Sequence, residues 1–213
     1  MLAMGTFTGF PAAGPAFYAD LEENNTKEWW GEHRDVYERA VRAPMAALLD
    51  ALSAEFGVGK VFRPNRDVRF SRDKSPYKTA QGGFVQTAEG IGYYVHLDAD
   101  GLAVGAGCHT AAPAQVARFR EAVDAAGDGA TLEAILESLR RAGYAIEGER
   151  LKTVPRGYAT DHPRAELLRH KTLTAGRPFG TPAWLGSADA LEHIRASWSE
   201  LRPLVEWLTG HLG

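Results

Sequence analysis

The densest chemistry in the chain stands between Arg63 and Lys78. Here Arg63, Arg66, Arg69, Arg72, Lys74 and Lys78 face only Asp67 and Asp73. Six positive charges less two negative give +4, in a protein of 213 residues whose net charge is −3. The rest of the chain therefore sums to −7. Guanidinium forks and ammonium point charges at this density suit phosphate or carboxylate, and Ser71, Ser75 and Tyr77 could add neutral donors. If residues 66–71 are extended, alternation places Val68 and Phe70 on one face and Asp67, Arg69 and Ser71 on the other, a strand with an ionic side. Pro76 restricts Ser75 to extended conformations and removes a backbone donor, so Arg72–Lys78 reads as an ordered loop. The competing reading makes the run an internal ion-pair network. Asp67, Asp73 and the acidic surplus at Asp20–Glu38 would then be its partners.

The other chemistry-bearing residue types are dispersed. Seven histidines include no HExxH and no pair with a carboxylate at ligand spacing, so no metal site is expected. With a turn at Asp98–Gly101, His96 lies opposite Ala103 and His109 opposite Gly90, about 20 Å apart along the ladder, so they cannot share an ion. Asp161-His162-Pro163 resembles a helix start, and Asp161 and His162 are the polar groups outside the run that could assist a ligand there. His33 falls on the apolar side of its helix, as a hydrogen-bonded core histidine does. The single cysteine, Cys108, has no His/Asn partner phrase and reads as a small hydrophobe. Nucleophile elbows, phosphate loops and dinucleotide fingerprints are absent, so no cofactor is implied. Trp29 and Trp30 read first as core anchors.

The elements that must position these groups follow from periodicity. Asn25-Thr-Lys-Glu28 has the shape of a capping box ahead of a helix carrying Trp29, His33, Val36, Tyr37, Ala40 and Val41 on one face. Pro44 marks a break or a first turn before Met45, Leu48, Leu49, Leu52 and Phe56, and Gly57 stops that helix. Strands are expected at 61–63, 67–70 and 84–87. A hairpin of 91–98 and 102–108 turns at Asp98-Ala-Asp-Gly101. Its inward faces are Ile91, Tyr93, Val95, Leu97 and Leu102, Val104, Ala106, Cys108. Gly105 and Gly107 fall opposite, where another backbone, a helix or a ligand can approach. Helices resume after Pro113 and behind a Thr131 cap, with Gly143 as a stop. The C-terminal stretch from Ser187 is helical and is kinked or divided at Pro203. Helices, then clustered strands, then helices predict a single α+β domain over residues 1–213, with a largely antiparallel central sheet covered by helices from both ends of the chain.

A hydrophobic fraction of 45% and a charged fraction of 24% match a globular chain and exclude disorder and coiled coil. The pI near 6.2 and mean hydropathy of −0.27 argue against a whole-protein attraction to nucleic acid or to an anionic membrane. No window reaches the roughly 18 apolar residues of a membrane span. With one cysteine and no signal peptide, a reducing cytoplasm is the expected compartment.

Read together, Gly9-Phe-Pro11, Asn24-Asn25, Lys27-Glu-Trp-Trp30, Tyr37, Pro44, the run Arg66–Lys78, Gly105 and Gly107, Pro155 with Gly157-Tyr158, and Asp161-His-Pro163 with Leu167-Leu168 and Lys171 resemble the DUF2461 family of conserved proteins of unknown function. The resemblance spans roughly residues 7–210. It implies no catalytic assignment. Trp30 stands where that family often has Phe, and Arg63-Pro64 where Arg-Ile is common; neither departure touches the basic run. The reading of the residues is a small anionic ligand held by Arg66, Asp67, Arg69, Ser71, Arg72, Lys74, Tyr77 and Lys78 with Asp161 and His162. A cleft is expected where the run, Gly105/Gly107 and Pro155–Lys171 meet. A structural or interaction protein is the alternative class, nucleic-acid binding ranks below it, and the oligomeric state is left open.

Overall fold

The computed structural model describes residues 6–69 and 73–213. Helices α1 (Ala13–Glu23), α2 (Lys27–Tyr37) and α3 (Ala43–Phe56) come first. The strands β1 (Gly59–Val61), β2 (Ala80–Ala88), β3 (Ile91–Asp98) and β4 (Gly101–Cys108) follow. Then come α4 (Pro113–Asp124), α5 (Ala126–Arg141), β5 (Ala145–Glu147), α6 (Ala165–Leu168), β6 (Leu173–Gly180) and α7 (Asp189–Leu212). The strands form one six-stranded antiparallel sheet in the order β1-β2-β3-β4-β6-β5, and the fold is α+β as expected. Among the described residues no helix is long and apolar enough to cross a membrane.

Several local expectations shift, each for a physical reason. Thr26, not Asn25, caps α2: its extended backbone lets the hydroxyl accept from Trp29 N–H at 3.2 Å. A π-helical turn, Glu38–Arg42, joins α2 to α3 directly ahead of Pro44. Proline has no N–H to give and crowds the preceding turn, and widening that turn accommodates it. Thr131 lies inside α5, its hydroxyl donating to the Gly127 carbonyl at 2.9 Å instead of capping. The first strand is Gly59–Val61 and the third expected strand begins earlier, at Ala80. The ionic strand expected at 67–70 is absent from Asp67 to Arg69, and Phe70 lies outside the described residues. Helix α7 runs unbroken through Pro203.

The chain divides into two compact units. One runs through Val85 and adds Tyr94–Val104 and Pro178–Ala196; the other holds Gln86–Tyr93, Gly105–Arg177 and Ser197–Gly213. In the first, α1 and α3 bury Phe17, Tyr18, Leu21, Met45, Leu48 and Leu52 with Val95 and Leu97. The approach depends on Gly14 and Gly83. A Cβ at Gly14 would stand 2.9 Å from the Ala40 carbonyl and 3.0 Å from Leu97, and one at Gly83 3.0 Å from Leu49. In the second unit Leu132, Leu136 and Leu139 of α5 are buried. Phe119 meets Trp207 edge-on at 6.0 Å, and Tyr93 meets Trp198 at 5.3 Å.

Burial raises the phenols of Tyr37, Tyr93 and Tyr144 to about 12 and that of Tyr18 further still. A folded pKa above the unfolded 10.0 contributes stability that is complete below pH 10 and is lost as pH rises toward the folded value. Alkaline titration followed at the phenolate absorbance should therefore show these four rings ionising only with unfolding, while stability falls steadily above pH 10. Four freely titrating phenols in folded protein would contradict the packing.

Candidate functional site

The basic run is a loop on a narrow neck. Arg66 N–H donates to the Pro76 carbonyl at 2.9 Å and Lys78 N–H to the Pro64 carbonyl at 2.8 Å, with Asn65 and Tyr77 paired antiparallel between them. Beyond the neck, side chains take over the backbone's hydrogen bonding. Asp67 Oδ1 accepts from Arg69 N–H at 3.2 Å, and Asp73 Oδ1 accepts from Ser75 N–H at 2.9 Å and from its hydroxyl at 2.7 Å. Such short-range bonds compete with a strand ladder, which is why the ionic strand does not form.

Helix α2 holds this neck in place. The Asn25 amide donates to the Tyr77 carbonyl at 3.0 Å and accepts from Tyr77 N–H at 3.1 Å, doing for that residue what a neighbouring strand would do. The Trp30 ring stacks on Tyr77 with centroids 4.0 Å apart and planes 10° from parallel. Asn25 is thus freed from capping to clamp the loop, and Tyr77 serves first as an anchor. Trp29 stacks on His33 in turn, and His33 Nδ1 bonds the Trp29 carbonyl at 2.8 Å.

The charges in the run pair locally. Arg69 grips Asp67 as a fork, Nη2 to Oδ2 at 2.7 Å and Nε to Oδ1 at 3.0 Å, and Arg66 pairs with Asp73. Lys74 donates to the Val68 carbonyl at 2.9 Å. Hydrogen bonds from Arg69 hold the Asp67 carboxyl below its ordinary range; those from Ser75, then the Arg66 charge, do the same for Asp73. Both acids are exposed, at 44% for Asp67 and 53% for Asp73, so solvent screens what these pairs contribute. Depressed carboxyl pKa values stabilise above pH 3.8 and lose that effect as pH falls through the folded value. Among the described residues no acid of Asp20–Glu38 pairs with the run; Glu38 bonds Arg42 instead, at 3.3 Å. Arg63, Lys74 and Lys78 have no carboxylate within ion-pair distance among the described residues. Ser71 and Arg72 lie outside those residues.

From Lys78 a row of rings crosses the sheet face opposite the helices of this unit. Lys78 Nζ stands 5.5 Å from the Phe62 ring centre, Phe62 lies 6.4 Å from Phe84 and 6.3 Å from Tyr94, and Tyr94 lies 5.4 Å from His96. Gly82 makes room beneath them, since a Cβ there would come within 2.9 Å of both Phe62 and Tyr94. His96 Nε2 is 3.2 Å from Asp98 Oδ2, and Asp98 Oδ1 accepts from Asp100 N–H at 3.0 Å in the hairpin turn. Asp98 is therefore held by the turn and in turn orients the imidazole. The sequence reading passed over this dyad. Its signal was available: if Tyr93, Val95 and Leu97 point inward, Tyr94, His96 and Asp98 share the other face.

The remaining candidates belong to the second unit, and the run belongs to the first. Asp161 is exposed. His162 Nδ1 accepts from Arg164 N–H at 3.0 Å, so Nε2 carries the proton it gives to Asp124 Oδ1 at 3.1 Å. The helix expected at Asp161 begins only at Ala165, because His162 and Arg164 are engaged by the end of α4. Gly105 and Gly107 admit a backbone: a Cβ on Gly105 would stand 3.0 Å from the Ala175 carbonyl, and one on Gly107, where φ is +134°, would stand 2.3 Å from that of Leu173. Cys108 is buried, its thiol bonded to the Thr110 carbonyl at 3.3 Å and pushed up in pKa by burial. His109 N–H donates to the Gly90 carbonyl at 3.0 Å, the register expected of the hairpin. Among the described residues no three His, Cys, Asp or Glu side chains are grouped to hold a metal ion.

No curated protein and no solved structure matches the chain. A family model described as a conserved hypothetical protein, DUF2461, matches residues 14–207, a span that holds the clamped loop, the ring row and the α4 junction alike. The chain belongs to the DUF2461 family.

Proposed function

We propose that the protein binds a small phosphate- or carboxylate-bearing ligand through the basic loop, as one domain working in a reducing cytoplasm. The observation that carries this reading is the surplus of Arg63, Lys74 and Lys78, cations without a carboxylate partner among the described residues on a loop that Asn25 and Trp30 hold in place. A pre-positioned set of cations loses little freedom on meeting an anion. Phe62 and Tyr94 beside Lys78 supply apolar area for the body of the ligand. The second reading, an internal ion-pair network, has the Arg66–Asp73 and Arg69–Asp67 pairs in its favour.

Thermal denaturation with and without millimolar inorganic phosphate or pyrophosphate separates the two. Ligand binding raises the wild-type midpoint by mass action. Lys74→Ala, which removes one of the surplus cations, should leave the unliganded midpoint close to the wild-type value and shrink the anion-dependent rise. A large loss of stability with no anion response in either protein makes the run architecture.

A further inference from the structure

The second unit holds an open cleft of about 490 Å³ whose wall includes Arg120, Val116, Leu151 and Thr172, with the Glu149–Lys171 ion pair on its rim. Arg120 and Val116 stand one turn apart on α4 and so share a face. Arg120 Nε donates to the Leu168 carbonyl at 3.2 Å, which fixes the plane of the guanidinium, and no carboxylate lies within ion-pair distance of it among the described residues. Thr172 Oγ1 accepts from Glu149 N–H at 2.8 Å, leaving the hydroxyl proton to donate. Lys171 is already matched by Glu149, so Arg120 is the uncompensated charge of this cleft among its described lining residues.

We propose that the cleft binds a small monocarboxylate with a short branched apolar body. A planar fork held on its Nε side presents its η nitrogens to a carboxylate in the two-bond geometry that guanidinium favours, and Thr172 adds a neutral donor. Val116, Leu151 and Pro113 offer the apolar wall that a branched alkyl group needs. The charge balance selects against phosphate: one free cation beside a neutralised pair matches a single negative charge, and a dianion would face the Glu149 carboxylate. The site shares no residue with the basic loop.

The test is a titration of isotope-labelled protein with isovalerate, isoamyl alcohol and inorganic phosphate, followed by amide and Arg120 Nε–H resonances. Isovalerate is expected to give saturable millimolar shifts at residues 109–111, 149–151 and 171–172, with none around 63–78. The alcohol and phosphate should bind there at least about tenfold more weakly, as the loss of a charge-assisted bond requires. Arg120→Gln keeps a donor for Leu168 and should weaken isovalerate by at least about tenfold. Arg120→Lys, which keeps the charge but not the fork, should fall between, and it carries the test if the Gln variant does not fold. Absence of saturation, equal binding of the alcohol, preference for phosphate, or wild-type affinity in the folded variants overturns the proposal. Failure here leaves the phosphate response of the basic loop untouched.

Discussion

Trp30→Ala should lower the free energy of unfolding by about 3–5 kcal/mol, the range for truncating a large buried aromatic. The ring is 7% exposed and packs against Phe17 at 5.5 Å, Tyr37 at 4.8 Å and Tyr77 at 4.0 Å. Two consequences separate here. The first three-ring cluster belongs to the core of α1 and α2, so its loss registers in global unfolding by urea. The stack on Tyr77 belongs to the loop, so its loss should also speed amide exchange at residues 64–66 and 76–78 under native conditions. Asn25→Ala removes the loop's two clamp bonds without touching the core. It should reproduce the faster exchange with only about 1–2 kcal/mol of global loss. If Trp30→Ala costs less than about 1 kcal/mol, the ring is not the keystone that its burial makes it.

Arg164→Ala should cost about 3 kcal/mol or more, because one guanidinium closes the end of α4. Its Nε donates to the Val123 carbonyl at 2.6 Å and Nη2 to that of Asp124 at 3.0 Å, while Nη1 lies 3.7 Å from Glu133. The side chain is 12% exposed. Truncation leaves the last carbonyls of the helix unpaired in a partly buried place, and each bond to a charged donor is worth about 1.5–3 kcal/mol. Lysine cannot span both carbonyls with one ammonium, so Arg164→Lys should recover less than half of the loss. Gly129→Ala offers an independent check, since its Cβ would stand 2.4 Å from Arg164 Nε and 2.2 Å from the Val123 carbonyl. Chemical denaturation of the three variants should place all of them well below wild type. A wild-type midpoint for Arg164→Ala would mean that water replaces the guanidinium without penalty.

How much of this was legible in the residues differs by element. The hairpin of β3 and β4 came through down to the pairing of His109 with Gly90, with Gly101 joining β4, because strict alternation and the Asp98–Gly101 turn are both local signals. The stops at Gly57 and Gly143, with φ of +101° and +87°, were equally plain, since glycine adopts those angles without a Cβ penalty. The basic run was visible as charge and its second half, Arg72–Lys78, was read as a loop, but its first half was misread as a strand, which Asp67–Arg69 do not form. Its geometry turns on Asn25, 52 residues away from Tyr77, and on carboxylates that bond their own neighbours. Residue type could not tell a capping Asn25 from a clamping one while Thr26 stood beside it with an equally good oxygen.

Charge, composition and period-two or helical spacing by themselves determined the α+β class, the inward faces of the hairpin and the place of the cation surplus. Each depends on a residue and its near neighbours along the chain. Tertiary structure decided which acid meets which base, that Gly105 and Gly107 admit the backbone of β6, and that His162 locks to Asp124. Such outcomes depend on which distant segment arrives within about 3 Å, the range over which a hydrogen bond forms. Sequence spacing carries no information about that arrival, whereas the fold sets it once the apolar faces have packed.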